Sequence, residues 1–127
     1  MSHLEVRQEK DLNQIREHMV SQADLVAKSV ENAVHAVQTG DKTLAWNTVL
    51  DDHPINRHMR KIDRLCHSFI AVHLPSAGPL RLLSSIIRAN VELERIGDYA
   101  VTMAREAVQM ASPPKGSIAR ELEKRKN

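Results

Sequence analysis

The chain has 127 residues, enough for one domain with a real core, and a formal net charge of only +2, which argues against a nucleic-acid-binding protein. Hydrophobic residues make up 42% of the chain but aromatic residues only 2%, so the core must consist of aliphatic side chains, as is typical of packed helices. No apolar run approaches the roughly 20 residues of a membrane span, and the N-terminus lacks the apolar stretch of a signal peptide, so we expect a soluble, all-α protein.

The first predicted helix begins after a polar segment, residues 1–10, which we expect to be frayed. Apolar residues then recur every three or four positions for about seven turns. Gly40 suits the left-handed position that follows many helices, and Asp41 can cap the next helix. Such a tight turn makes the first two helices antiparallel neighbours. The apolar residues of the first helix are Leu12, Ile15, Met19, Ala23, Val26, Val30, Ala33 and Val37.

The second predicted helix runs from Asp41 to about Val72 and contains Pro54. Proline lacks an N–H group and clashes with the preceding turn. The helix therefore either kinks here or is broken at residues 51–53, with Pro54 at the first position of a new helix. We favour the kink, because the apolar stripe continues in nearly the same phase. The single cysteine, Cys66, falls on this stripe, so we expect a buried inert thiol and a cytoplasmic protein.

The third predicted helix follows a loop over residues 73–79. Ser76 can cap it, and Pro79 falls in its first turn, where a missing N–H does no harm. It runs to about Met110 and is stopped at residues 112–114 by two prolines. Its main apolar stripe is Leu82, Ile86, Ala89, Leu93, Ile96, Ala100, Met103, Ala107 and Met110.

The last part of the chain differs in composition. Basic residues outnumber acidic ones in residues 113–127, and few apolar residues are present. We expect this tail to be solvated, with a short helix that docks on a partner as the alternative. The predicted domain organisation is therefore one helical domain, residues 1–112, followed by a basic tail.

Polar side chains form one edge of the third helix. Asn90, Glu94 and Asp98 are each four residues apart, so they line up beside the apolar stripe. Carboxylates next to a core are costly unless they are paired, hydrogen-bonded or bound to a cation. Either Asp98 pairs with Arg95 or Arg105 in a neighbouring turn, or this edge binds a cation.

The same helix carries a family resemblance. Residues 93–98, Leu-Glu-Arg-Ile-Gly-Asp, preceded by Leu-Arg-Leu at 80–82, resemble the signature of the PhoU family of phosphate-uptake regulators. Gly97 lies within this signature, and a glycine inside a helix often marks a close approach of another helix. The resemblance implies an antiparallel three-helix bundle of the PhoU type, with up-down-up topology. Family members usually carry two such units in tandem, whereas this chain has one.

The resemblance also implies a metal site, with one departure. The family repeats a Glu-x-x-x-Asp motif on paired helices, but the first copy here reads Met59 to Asp63, so one expected carboxylate is absent. A hard cation such as Fe, Mn, Mg or Ca would therefore be bound weakly or need a second subunit. The candidate metal ligands are Glu94, Asp98, Asn90, Asp52 and Asp63.

The function implied by the resemblance is regulation of phosphate uptake and phosphate-starvation signalling without catalysis. The implied partners are the ATPase of a phosphate ABC transporter and a sensor histidine kinase, contacted through Arg81, Arg95 and Asp98. The sequence contains no phosphate-cradling glycine loop, no paired cysteines and no nucleophile with a base at fixed spacing, so an enzyme is not expected. The alternative is a metal-binding helical protein for storage or metal chemistry. Ferritin-like sites of that kind need Glu-x-x-His pairs, which the apolar stripes of this sequence lack.

A homodimer is expected because the third helix is apolar on more than one stripe. One bundle of three helices cannot cover all of this surface, and a large exposed apolar patch marks an interface. A second copy would then imitate the tandem units of the family. The residues beside the main stripe are Leu83, Ile87, Val91 and Val101.

Overall fold

The computed structural model describes residues 2–111 and contains helices but no strand in that range. Helix α1 spans His3–Thr39, α2 spans Lys42–Leu50, α3 spans Asp52–His73 and α4 spans Ala77–Ala111. Helices α2 and α3 together form the descending arm between α1 and α4, so the three arms run up, down and up. The predicted all-α, antiparallel three-helix bundle is confirmed. The predicted stop at residues 112–114 and the basic tail, 113–127, lie outside the described residues.

Helix α1 begins much earlier than the sequence indicated. Ser2 is its N-cap, and the Ser2 hydroxyl accepts a hydrogen bond from the backbone N–H of Glu5 at 3.1 Å. The expectation that residues 1–10 are frayed is wrong for residues 3–10. A capped first turn supplies the costly nucleus, after which each further residue adds one hydrogen bond even where few side chains are buried.

The turn between α1 and α2 has the predicted chemistry. Gly40 has a φ of 72°, in the left-handed region that favours glycine, and its N–H donates to the carbonyl of Ala36 at 2.9 Å. Asp41 caps α2, because its carboxylate accepts a hydrogen bond from the N–H of Leu44 at 3.1 Å. The predicted antiparallel contact of the first two arms follows from this turn.

The descending arm is broken rather than kinked. A single residue, Asp51, separates α2 from α3, and Pro54 is the third residue of α3. The predicted kink is therefore wrong, and the alternative of a new helix near Pro54 is correct, although Pro54 is not its first residue. The first turn of a helix has no intrahelical partners for its N–H groups, so proline is tolerated there.

Two clusters of buried side chains form parts of the core along the bundle. The larger cluster lies among α1, α3 and α4 and is made of branched aliphatic, aromatic and thiol side chains. The smaller cluster lies among α1, α2 and α4 and is made of alanines. These small side chains let the three helices approach closely. The larger contains Leu12, Ile15, Ile62, Cys66, Phe69, Leu83 and Ile86. The smaller contains Ala36, Ala45, Ala104 and Ala107.

The buried face of α4 is rotated from the predicted stripe. Leu83 and Val101, which we assigned to a dimer interface, are buried within the bundle. Ile96 and Met110, which we assigned to the core, are exposed by 42% and 60%. Helix α4 packs against all three other helices, so its buried face is set by two neighbouring arms rather than by one apolar stripe.

Candidate functional site

Three carboxylates influence one another electrostatically where α3 begins and α4 carries its signature. Glu94 is half-buried on α4, Asp98 lies one turn further along and is exposed, and Asp52 is half-buried in the first turn of α3. One oxygen of Asp52 accepts a hydrogen bond from the amide of Asn56 at 3.1 Å. The other oxygen, Oδ1, is buried and finds no hydrogen-bond donor among the described residues. We call Glu94, Asp98 and Asp52 the acidic edge.

The acidic edge carries mutually repelling charge. The pKa of Glu94 is raised above its ordinary value, first by burial, then by the charge of Asp98 and a hydrogen bond shared with it, and then by the charge of Asp52. The charge of Arg95 acts in the opposite direction. These carboxylates from two helices thus lie close enough to act on one another, and a proton or a cation at this edge relieves the repulsion.

Asn90 contributes to packing between α3 and α4. Its side chain is 1% exposed, and its amide nitrogen donates to the backbone carbonyl of Met59 at 2.8 Å. Its side-chain oxygen is buried and has no hydrogen-bond partner among the described residues. Asn90 therefore ties α4 to α3 beside the position where Met59 replaces the glutamate of the family motif.

Asp63 is separated from the acidic edge. It lies eleven residues after Asp52 on α3, which corresponds to about 16 Å along the helix axis. There it faces His67, with 3.6 Å between its carboxylate oxygen and the imidazole Nδ1. Within residues 2–111, no group of three or more His, Cys, Asp or Glu side chains is arranged to hold one metal ion. Of the five candidates, only Asp98 and Asp52 act electrostatically on Glu94, and the three do not form a ready metal site.

The candidate partner residues lie on the outer surface of α4. Arg81 is exposed, and its Nε donates to the backbone carbonyl of Ala77 at 3.3 Å. Arg95 is exposed and pairs with Glu92 at 3.3 Å instead of with Asp98. Arg81 and Arg95 are fourteen residues apart, or about 21 Å along the helix. Both are accessible, as a contact residue must be, but Arg81 lies near the start of α4 and Arg95 at its middle.

A polar network between α1 and α3 was missed in the sequence. The Nδ1 of His18 lies 3.0 Å from the Nε2 of His58, and the Nδ1 of His58 lies 3.0 Å from the side-chain oxygen of Gln22. The Gln22 amide nitrogen donates to the carbonyl of Ile55 at 2.9 Å, and Gln22 is fully buried. Burial lowers the pKa of His58 below its ordinary value, and the charges of His18 and Lys61 lower it further.

One signal in the sequence could have located this network. Gln22 is in phase with the apolar stripe of α1, four residues before Val26 and seven after Ile15, so a polar side chain occupies a core position. A buried amide must find hydrogen-bond partners. The two histidines that cooperate with it are 40 residues apart, a separation at which no sequence pattern links them.

Two other titratable side chains are buried without forming part of these sites. Burial, assisted by the charge of Asp63, raises the pKa of Cys66 to about 11, so the thiol is inert as expected. The side chain of His73, only 4% exposed, pairs with Asp11 at 2.8 Å and ties the end of α3 to the start of α1.

Comparisons with known proteins give one consistent family match. Residues 19–107 match the PhoU domain family. The chain is similar to the phosphate-specific transport system accessory protein PhoU homolog of Pseudomonas putida, at 35% identity over 91% of this chain and 46% of the relative. It is also similar to the PhoU homolog of Aquifex aeolicus, at 31% identity over 83% of this chain and 48% of the relative.

A solved structure supports the same relationship. The crystal structure of PhoU from Pseudomonas aeruginosa superposes with a TM-score of 0.81 at 37% identity, covering 84% of this chain and 51% of that one. The chain therefore spans about half the length of the curated relatives that it matches. In the part of the chain that the structure describes, no helix is long and apolar enough to cross a membrane.

Proposed function

Since this chain belongs to the PhoU family, we propose that it regulates phosphate uptake and phosphate-starvation signalling by protein contact, without catalysis. The observation that carries this proposal is the match of residues 19–107 to the PhoU domain family and of 91% of the chain to a relative named as a homolog of a phosphate-specific transport system accessory protein. Those names favour a regulatory role over the alternative of metal storage. A regulator that works by contact needs a rigid scaffold with an accessible face, and the outer face of α4 meets that requirement.

The partners in this proposal are the ATPase of a phosphate ABC transporter and a sensor histidine kinase, both met in the cytoplasm. The exposed face of α4 mixes charged and apolar side chains around the family signature. Ile96 and Tyr99, exposed by 42% and 63%, lie beside the charged Arg95 and Asp98. Apolar and aromatic anchors surrounded by charges are typical of protein interfaces, since the anchors supply affinity and the charges orient the partner.

Charge reversal on this face tests the proposal. We expect Arg81→Glu, Arg95→Glu and Asp98→Lys to weaken binding to the purified ATPase or to the kinase by about tenfold or more wherever the residue lies in the interface. The matched control is Arg64→Glu, because Arg64 is an exposed arginine on α3. Circular dichroism must show the same helix content in every variant.

The outcomes separate the residues from the function. Unchanged binding in all three variants would remove these side chains from the interface and leave the regulatory proposal standing. Wild-type protein that binds neither partner would overturn the proposed function itself.

We also propose that the acidic edge binds a divalent cation such as Fe, Mn, Mg or Ca weakly, with further ligands from water or a second copy of the chain, because its three carboxylates are not themselves arranged to hold one ion. Its support is the raised pKa of Glu94 and the buried Asp52 oxygen that has no donor among residues 2–111. Glu94, Asp98 and Asp52 supply hard oxygen ligands, whereas Met59 cannot replace a carboxylate. The ion would tune the contact face, because the edge adjoins Arg95 on the same helix.

A second copy of the chain completes the proposal. We propose that two copies of the chain associate as a homodimer. With Leu83 and Val101 buried, the interface needs other apolar side chains. The groove between α2 and α4, lined by Trp46, Arg105, Val108 and Gln109, offers an aromatic side chain that is 53% exposed. Tryptophan and arginine are enriched in such interfaces.

A further inference from the structure

We propose that His18 and His58 form a two-imidazole site for a borderline divalent transition-metal ion, of which Zn²⁺ is the probe, bridging α1 and α3. This site is separate from the acidic edge and does not depend on the proposed function. Both side chains are half-buried, and they belong to different helices whose axial positions are fixed by the bundle. An ion held there would link the ascending and descending arms.

The hydrogen bonds around Gln22 orient the first ligand. The backbone carbonyl of Ile55 can only accept a hydrogen bond, so the Gln22 group that faces it at 2.9 Å is the amide nitrogen. The Gln22 oxygen therefore faces His58 and accepts the Nδ1–H of that ring at 3.0 Å. This leaves the Nε2 of His58 as a lone pair that points toward His18. Metal-binding histidines show the same arrangement, with the second ring nitrogen donating to a buried acceptor.

The second ligand needs only a change of tautomer. Without metal, the Nδ1 of His18 donates to the Nε2 of His58 across 3.0 Å. If the His18 proton resides on Nε2 instead, the two facing nitrogens both carry lone pairs. Two Zn–N bonds of about 2.0–2.1 Å at a tetrahedral angle place the nitrogens about 3.3 Å apart, with each bond about 35° from the line that joins them. Metal binding therefore requires the nitrogens to separate by about 0.3 Å from the observed 3.0 Å and both rings to tilt toward the ion.

The surroundings leave the site open to further ligands. In residues 2–111 no third His, Cys, Asp or Glu joins the pair, so the remaining coordination positions belong to water or to a ligand from a partner. Such a site binds exchangeably, and binding to the folded state alone raises thermal stability.

The test is the thermal shift caused by Zn²⁺ in chelator-treated protein. We expect added ZnCl₂ to raise the Tm of wild type and to leave the Tm of His18→Gln and His58→Gln unchanged. Each variant is compared with its own metal-free melt, so a loss of stability from the substitution itself does not affect the result. Zinc titration by calorimetry should show affinity at least about tenfold weaker in both variants.

Two controls isolate the site. His67→Gln removes an exposed histidine that faces Asp63 one turn away on α3, and Glu94→Gln weakens the acidic edge. Both variants should keep the full response to Zn²⁺. No Tm increase in wild type would overturn the proposal, and so would an increase that persists in His18→Gln and His58→Gln.

Discussion

At the scale of single residues, Glu94 has the clearest energetic signature. Its pKa is raised in the folded protein by burial and by the charges of Asp98 and Asp52. The folded state therefore holds this proton more tightly than the unfolded state does. Protonated Glu94 therefore adds to the free energy of unfolding at pH values below the ordinary pKa of glutamate, about 4.3. This contribution is lost as the pH rises through the raised pKa of Glu94 in the folded protein. At neutral pH the ionised side chain is a net cost to the fold.

Glu94→Gln removes that cost. We expect the variant to have a higher Tm than wild type at pH 7 in the presence of a chelator, and the difference to disappear as the pH falls below the ordinary glutamate value. Glu92→Gln is the control, because Glu92 is an exposed carboxylate two residues away. A Glu94→Gln variant that is less stable than wild type under these conditions would contradict the repulsion described here.

The same residue tests the cation proposal. If the acidic edge binds Fe or Mn, adding the ion should raise the Tm of wild type and leave the Tm of a Glu94→Gln, Asp98→Asn double variant unchanged. Elemental analysis of the two purified proteins provides a second readout. Wild type that carries no metal and gains no stability from it would reduce the acidic edge to a partner-binding or hydrogen-bonding surface.

At the scale of helices, Gly97 marks the close approach of α3 to α4. A Cβ atom at this position would lie 3.4 Å from Cγ2 of Ile55, which is an ordinary contact distance. The glycine therefore lowers the stability of α4, although the space at this position would accept the methyl group of an alanine. Since alanine is favoured over glycine in a helix interior by up to about 1 kcal/mol, Gly97→Ala should stabilise the protein.

Larger substitutions should have the opposite effect. We expect Gly97→Val to lower the free energy of unfolding in urea, because its additional methyl groups would meet the Ile55 side chain. Gly78→Ala is the control, since a Cβ atom there has no neighbour within 4 Å and lies in the first turn of α4. Equal stability of the Gly97→Ala and Gly97→Val variants would mean that Ile55 does not limit the space.

At the scale of the whole molecule, the groove between α2 and α4 bears on the association of two copies of the chain. If this groove is a dimer interface, wild-type protein should sediment as a dimer at micromolar concentration. Trp46→Lys should shift it toward the monomer, because a desolvated ammonium group in the groove between α2 and α4 opposes association. Val20→Lys is the control, as Val20 is 63% exposed on α1. A clean monomer of wild type would contradict the dimer.

Much of the architecture was predictable because it rests on local chemistry. Gly40 and Asp41 locate the first turn, since a left-handed residue and an N-cap act within four residues of their own position. The helical periodicity identified three arms, and the signature at residues 93–98 identified the family. Of the candidate site, the spacing of Glu94 and Asp98 was sufficient to place them on one edge of one helix.

What only the tertiary structure decided depends on how the helices are rotated and shifted against one another. Three findings belong to this class. The descending arm is broken at Asp51, and α4 buries Leu83 while Ile96 is exposed. The third finding is the contact of His18 with His58. Periodicity within one helix specifies which residues share a face, but it does not specify which residues of another helix lie opposite. That choice is made by packing of all arms at once, which is why the acidic edge was visible in the sequence and the histidine pair was not.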